Sequence, residues 1–551
     1  MLSTATSVNR IDSLRADLTA ALTVTLVGIP QCLAYAMMSG LPPAYGLATA
    51  AIPGVVAALI GKNPHIITGP TNTTGLLILA ALGPWLGADG FVTEEGLAAL
   101  ATLVLLAGII RLIVAALGGA SLLRFLPESV LAGFTAGAGI LIIVMQLDEA
   151  FGFAPISDSG LFGELGGIWR QLQNGAAPQW PSVLLTFATA AAIMLGKRHV
   201  PKIPVALLSV IAAASAAAVF GLNTDVGLST VGDRSTVPSG WPPGSMPVLD
   251  IALMQSLLVP AATIALLGTL ELAVSARANG AQPDMRREIT AQGVANIVGA
   301  FSSAFPSSAS LTRSALLRLG DAQTRLAPVM AALFTVPVLL FAGEAVSYIP
   351  QASLAGVLLV TAVRMINVPR IRRMWVSAPI TRLLLGMTLC STLVLPLEYA
   401  VFVGGGAGLW FHLRQSLTPE IQLLIPTSSG LEPASPSTDN ETVVLQVTGD
   451  LYYAAVEHLG RVLLPLVRPS RTLIVDVSHA PGMRYAALQK LEFVSTLTKQ
   501  ANGRLHVVGV TPEFMEVTKR TTSTLSVYAH RTIPGESLRQ CLDDIEEQYT
   551  S

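Results

Sequence analysis

Two short polar interruptions, one in each half of a very apolar chain, constrain this sequence more than anything else in it. The first is Ile67-Thr68-Gly69-Pro70-Thr71-Asn72-Thr73-Thr74 and the second is Phe305-Pro306-Ser307-Ser308-Ala309-Ser310-Leu311-Thr312-Arg313. Each cuts into sequence that otherwise reads as membrane-spanning, and Pro70 and Pro306 lie 236 residues apart (306 − 70). Irregular backbone at membrane depth is tolerated only where protein or a water-filled cavity covers it. Matched broken segments in two halves of a chain point to the substrate site of a secondary transporter.

The rest of the sequence agrees with a lipid bilayer as its solvent. Only 12% of the 551 residues are charged, 52% are hydrophobic, and the mean hydropathy is +0.61. A soluble chain carries about 25% charged residues. Apolar runs recur from Leu18 to Leu413, among them Leu97–Leu117, Val183–Leu195, Val205–Val219 and Met330–Ala342. Counted against the roughly 20 residues that a spanning helix needs, they give about fourteen spans. The first half begins near Leu18 and the second near Leu253, an offset of 235 (253 − 18) that matches the spacing of the interruptions. The expected fold is an α-helical polytopic membrane protein built as two inverted seven-span repeats.

Basic residues set the expected orientation. Lys62, Arg124, Lys197, Arg198, Lys202, Arg286, Arg287, Arg370, Arg372 and Arg373 fall on alternate connections, while Asp89, Glu94, Glu95, Asp148, Glu149, Asp158, Asp225 and Asp233 fall on the opposite ones. With an even number of spans both termini lie in the cytoplasm, and the chain resides in the plasma (inner) membrane. No cleavable signal is evident, because the first apolar stretch runs on into Pro30 and Gln31. Cys32, Cys390 and Cys541 are scattered and odd in number, so they suggest neither a disulfide framework nor a metal site. None of the seven histidines sits inside a span away from its ends. No cofactor is implied, and no basic stripe with interleaved aromatics suggests nucleic acid.

Four regions follow: a cytoplasmic lead-in at 1–16, a transmembrane domain at 17–415, a linker at 416–440 and a soluble domain at 441–551. The linker reads as Pro-, Ser- and Gly-rich sequence that builds no packed core. After it the pattern predicts β over Val443–Val447, α over Ala454–Leu466, β over Thr472–Val477, α over Tyr485–Gln500, β over Arg504–Val510, α over Pro512–Thr518, β near Leu525–Ala529 and a helix to Tyr549. Such alternation implies a mostly parallel sheet covered by helices.

Chemistry is expected at the two interruptions. Gly69 and Pro70 open a short helix whose first N–H groups lack partners, and Thr71, Asn72, Thr73 and Thr74 add side-chain donors there. A helix N-terminus favours an anion, although capping and close packing account for the same residues. In the second interruption Ser307, Ser308, Ser310, Leu311 and Thr312 surround another helix start, and Arg313 follows. An intramembrane arginine is functional by default, and snorkelling or a structural ion pair is the alternative. Glu271 is the clearest carboxylate inside an apolar span, with Ser275 one turn on. Proton coupling, cation coordination or a fixed ion pair with Arg313 would each account for it. Gln31, beside Pro30, offers a neutral donor and acceptor or inter-helix glue.

Gly28-Ile29-Pro30-Gln31-Cys32-Leu33-Ala34-Tyr35-Ala36 and then Gly40-Leu41-Pro42-Pro43-Ala44-Tyr45-Gly46 resemble the signature of the sulfate permease (SulP) family of anion transporters. So do Gln292–Ala300, Ser310-Leu311-Thr312-Arg313-Ser314 and Gly320-Asp321-Ala322-Gln323-Thr324, and the tail resembles a STAS domain. The resemblance implies a fourteen-span fold of core and gate domains, like that of the uracil transporter UraA, an elevator-like movement and a homodimer. By motif position it places Thr71, Thr312 and Arg313 against the anion, and Glu271 and Ser275 where sodium-coupled members hold their cation. Glutamate rather than aspartate there favours protons as the coupling ion.

Two departures stand out. Cys32 replaces the usual glycine after the Pro-Gln pair, and Arg484 and Tyr485 stand where phosphorylated STAS domains carry Asp-Ser. The second argues against a serine phospho-switch at that site. The expected activity is proton-coupled symport of a small (di)carboxylate. Sodium-coupled bicarbonate or proton-coupled sulfate symport are the near alternatives; an uncoupled exchanger, a channel or a membrane sensor are the more distant ones.

Overall fold

A computed structural model describes residues 10–550 apart from 88–89, 119–126, 155, 157–159, 201–202, 223–227, 235–239, 278–283, 417–418, 428–429, 436–439, 450, 452, 481, 484, 522 and 530–535. Most of the lead-in, Arg124, Lys202, Asp89, Asp158, Asp225 and Arg484 therefore lie outside the described residues. The chain divides into two compact units between Gly408 and Leu409.

The first unit is helical. Its first half runs α1 (Arg10–Met38), α2 (Pro43–Ile60), β1 (Thr68–Gly69), α3 (Asn72–Leu82), α4 (Glu94–Ala116), α5 (Glu128–Met145), α6 (Trp180–His199) and α7 (Val205–Val219). Its second half runs α8 (Ile251–Arg277), α9 (Met285–Ala300), β2 (Ser308–Ala309), α10 (Leu311–Leu319), α11 (Leu326–Leu333), α12 (Thr335–Phe341), α13 (Gln351–Met365), α14 (Val368–Ser377), α15 (Pro379–Val394) and α16 (Leu397–Ser416). Among the described residues, six helices are long and apolar enough to cross a membrane and five apolar segments are shorter. With α3, α9 and α10 these make fourteen crossing elements, seven per half. An odd number of crossings per half necessarily turns the second half upside down relative to the first.

The order of elements repeats as well. Each half opens with a long helix holding an internal proline, Pro30 in α1 and Pro260 in α8, and each has a two-residue strand followed by a short helix as its third element. At 1.5 Å per residue, the 11 residues of α3 and the 9 of α10 reach only about half of a 30 Å hydrocarbon core. β1 and β2 pair antiparallel, Thr68 opposite Ala309 and Gly69 opposite Ser308. The two interruptions thus satisfy backbone groups of each other that lipid could not.

Packing sorts these helices into two bundles. One holds α1–α4 and α8–α12, with α9 wedged against α4 and α2. The other holds α5, α6, α7, α13 and α15, with α5 against both α15 and α13. Small residues permit the close approaches: a Cβ on Gly133 would come within 2.6 Å of the Leu385 carbonyl oxygen, and one on Gly293 within 2.8 Å of the Leu112 side chain.

The second unit is a six-stranded sheet of order β4-β3-β5-β6-β7-β8. Its elements are β3 (Glu420–Thr427), β4 (Gly430–Pro433), β5 (Thr442–Thr448), α17 (Tyr453–Leu463), β6 (Thr472–His479), α18 (Tyr485–Gln500), β7 (Arg504–Val510), α19 (Pro512–Arg520), β8 (Ser526–Ala529) and α20 (Glu536–Thr550). β5 to β8 are parallel, and β6 is buried along six consecutive residues, as a strand covered on both faces must be. One face packs on α17 and α18, the other on Leu538, Cys541 and Ile545 of α20.

Within 416–440, expected as linker, β3 and β4 form a hairpin that extends the sheet antiparallel beside β5. The alternation Ile421, Leu423, Ile425 carries it, and the surrounding proline and serine hid it. Burial pushes the Cys541 thiol up to about 12, so it stays protonated and enclosed near neutrality. Alkylation at pH 8 should leave Cys541 unmodified in the folded protein and label it fully in denaturant, read by peptide mass spectrometry. Labelling at equal rates in both would contradict its burial.

Candidate functional site

The two half-helices start from the crossing strands and converge on one cavity. Thr71 caps α3 reciprocally: its Oγ1 accepts from the Thr74 amide, and Thr74 Oγ1 accepts from the Thr71 amide, both at 3.3 Å. Ser310 caps α10, its Oγ accepting from the Arg313 amide at 3.4 Å. Behind them α9 braces the crossing. Gln292 Nε2 donates to Thr68 Oγ1 (2.9 Å), and Asn296 Oδ1 accepts from the Ser307 amide (2.7 Å).

The cavity measures about 330 Å³ and lies between the two bundles. Gln31 and Tyr35 of α1, Thr71, Asn72 and Thr73 at the start of α3, Glu271 of α8, and Ser310, Leu311 and Thr312 at the start of α10 line one wall. The facing wall comes from α5, α13 and α14, including Thr135, Arg364 and Arg370. Glu271 Oε2 accepts from Thr71 Oγ1 at 3.3 Å, which joins the carboxylate to the half-helix end. Gln31 Oε1 is buried without a hydrogen-bond partner among the described residues. These groups offer amides, hydroxyls and one carboxylate around a space of ligand size.

Two expected site residues stand elsewhere. Arg313 is buried, but its guanidinium turns away from the cavity: Nη2 donates to the Pro70 carbonyl at 2.6 Å and Nη1 reaches Cys32 Sγ at 3.5 Å. It lines a small void behind the start of α3, against Gly28 and Gly69, where a Cβ would meet it at 3.2 and 3.0 Å. Arg313, expected against the anion, therefore stands outside the lining of this cavity, and among the described residues no ion pair joins it to Glu271, the alternative that its sequence position left open. Arg313 follows Thr312 by one position, about 100° round the helix, on the side of α10 that meets Pro70 and Cys32. Ser275 is buried one turn beyond Glu271, outside the cavity lining, and its Oγ has no partner among the described residues.

Sequence reasoning did not bring three further arginines to the site. Arg111 is a single charge in the C-terminal third of the apolar run of α4 and is fully buried beside the strand crossing. Its signal was there, a single charge inside a spanning segment. Arg364 and Arg370, the latter read from sequence only as a marker of orientation, bring positive charge to the facing wall of the cavity. Arg370 is paired with Glu128 at 3.0 Å, whereas Arg364 has no ion-pair partner among the described residues.

Comparison with known proteins meets this geometry directly. Residues 14–388 match the sulfate permease family, and residues 434–530 match the STAS domain. A Mycobacterium tuberculosis protein named "Probable sulfate transporter" is 30% identical over 424 residues, 76% of this chain and 74% of that one. YvdB of Bacillus subtilis is 25% identical over 513 residues, 92% of this chain and 93% of that one. Among solved structures, murine solute carrier 26 family member A9 in its inward-facing state superposes with a TM-score of 0.84 at 17% identity, covering 94% of this chain and 90% of that one. The transmembrane domain of the cyanobacterial bicarbonate transporter BicA superposes with a TM-score of 0.61 at 22% identity, covering 71% of this chain and 97% of that one. The expected fold class is borne out by these superpositions. A multi-pass membrane protein with this family match over more than half its length belongs to the sulfate permease family of secondary anion transporters, with a C-terminal STAS domain.

Proposed function

We propose that the protein is a proton-coupled symporter of a small anion, a C4-dicarboxylate dianion ahead of sulfate and of the monoanion bicarbonate. The observation that carries this reading is the pair of positive poles on opposite walls of one cavity. The half-helix ends at Thr71–Thr73 and Ser310–Thr312 face Arg364 across a cavity of about 330 Å³, with Arg370 beside it paired to Glu128. An extended dicarboxylate would bridge the two poles, one carboxylate on each. Glu271 is the proposed coupling group, because it lies on the same wall and is hydrogen-bonded to Thr71. A proton taken up there adds the positive charge that balances the second charge of a dianion. The bundle holding α3 and α10 then slides against the other, in the manner of an elevator.

Both termini and the STAS domain are assigned to the cytoplasm of a plasma-membrane homodimer, on the strength of the basic loops and the family resemblance. Protease access to the 416–440 region in vesicles of opposite orientation checks the first, and cross-linking in membranes checks the second.

The deciding assay is uptake of labelled fumarate, sulfate and bicarbonate into proteoliposomes under an imposed proton or sodium gradient. Accumulation of fumarate under the proton gradient alone is expected. The names of the relatives make sulfate the competitor, and its accumulation in place of fumarate would overturn the ranking. Arg364→Gln should raise the KM for a dianion by about 10-fold or more, as loss of a charged hydrogen bond of roughly 1.5–3 kcal/mol requires. Bicarbonate should suffer less. An unchanged KM for every anion would remove Arg364 from the site.

A further inference from the structure

We propose that Arg111 is a built-in counter-cation for Glu271, filling the electrostatic role that a bound sodium ion would have behind the half-helices, and so makes the protein indifferent to sodium. The functional consequence rests on the transport reading above; the place of Arg111 against the helix that carries Glu271 rests on side-chain geometry. Glu271 is surrounded by oxygen ligands of the kind a hard cation takes: Thr71, Thr73 and Ser308 lie around it, and Ser275 is one turn away with a free hydroxyl. One buried negative charge in such a shell invites a cation. The Arg111 guanidinium is buried against the same helix, at Gly268.

Arg111 leaves the C-terminal third of α4 towards the strand crossing, where its Nη1 donates to Gln292 Oε1 (3.0 Å) and to the Ser307 carbonyl (2.8 Å). Its Nη2 lies in a notch on α8 that only glycine permits, for a Cβ on Gly268 would stand 1.7 Å from it. Gly268 and Glu271 are three residues apart and share a helix face, and the charges of Arg111 and Glu271 act on each other. Nε and Nη2 have no hydrogen-bond partner among the described residues.

The other titratable or charged groups around Glu271 do not offset this pairing. Tyr35 of α1 is a neutral phenol, Arg364 and Arg370 lie across the cavity, and Arg313 is held at the Pro70 carbonyl. A metal ion beside Glu271 would therefore add unbalanced positive charge to a low-dielectric interior, which is costly. The residues present do not fit a sodium site of the sort that the family resemblance implied for Glu271 and Ser275.

The test is the melting midpoint of the purified full-length protein in sodium chloride and in N-methyl-D-glucamine chloride of equal concentration. The wild type is expected to melt at the same temperature in both. Arg111→Gln should melt about 5 °C or more lower, since it strands a buried carboxylate, and sodium should restore part of the loss. The double variant Arg111→Gln/Glu271→Gln, with both charges gone, should recover most of the loss and ignore sodium. A sodium-specific rise in the wild type would overturn the proposal. So would a double variant no more stable than Arg111→Gln, and this arm decides even if the single variant does not fold. Sodium-driven uptake by the wild type would sink the proposal and leave anion transport standing. Absence of any uptake would sink the transport reading alone.

Discussion

Replacing Arg313 by alanine is expected to cut anion uptake by about 100-fold or more, the equivalent of roughly 3 kcal/mol. The cause is architectural. The guanidinium spans from α10 to the Pro70 carbonyl and packs on Gly28 and Gly69, so it fixes the start of one half-helix against the other. Alanine leaves the buried Pro70 carbonyl without this donor and opens a void among α1, β1 and α10, and both effects destabilise. Uptake and melting temperature should therefore fall together. Arg313→Lys separates geometry from charge: the ammonium keeps a positive charge behind the half-helix ends but lacks the planar fork. If it restores substrate affinity while melting low, Arg313 acts mainly through its field. If it fails in both, the bridge to Pro70 is what matters. Wild-type uptake in purified Arg313→Ala, measured in liposomes, would remove Arg313 from the transport machinery.

The same residue shows how far the sequence could be read. Gly69-Pro70 and Pro306 announce the broken spans, because they interrupt helical hydrogen bonding at a depth where lipid cannot replace it. The STAS domain is legible too, its helices and parallel strands following the period of their apolar residues closely. Side-chain direction is not. Motif position brings Arg313 to the site, but whether it faces the cavity or its back wall depends on how α10 is rotated, which the β1–β2 crossing sets. Arg111 escapes for a related reason. One charge hardly lowers the hydropathy of α4, and the groups that make its place, Gly268, Gln292 and Ser307, come from the other half of the chain. The β3–β4 hairpin is lost to composition, since its edge position tolerates proline that an inner strand would reject.

Glu271→Gln should abolish accumulation against a gradient while leaving anion exchange in place. Glutamine keeps the shape of the side chain and an oxygen that can accept from Thr71 Oγ1, so the end of α3 stays supported. It also fixes the site in the charge state of the protonated carboxylate, with Arg111 uncompensated beside it. A dianion can then still bind and cross, but no proton is picked up on one side and released on the other. With one proton per anion and the membrane potential held at zero, each pH unit of gradient supports about a tenfold accumulation. The wild type should approach that ratio, and Glu271→Gln should fall to about 1. Counterflow of labelled against unlabelled anion should meanwhile persist in the variant and lose its pH dependence. Two results would count against the coupling role. If the variant still concentrates its anion with the proton or sodium dependence of the wild type, the proton travels elsewhere. If the wild type performs counterflow but never concentrates its substrate under any cation gradient, the protein is an exchanger and Glu271 serves only to hold Thr71 in place and to balance the charge of Arg111.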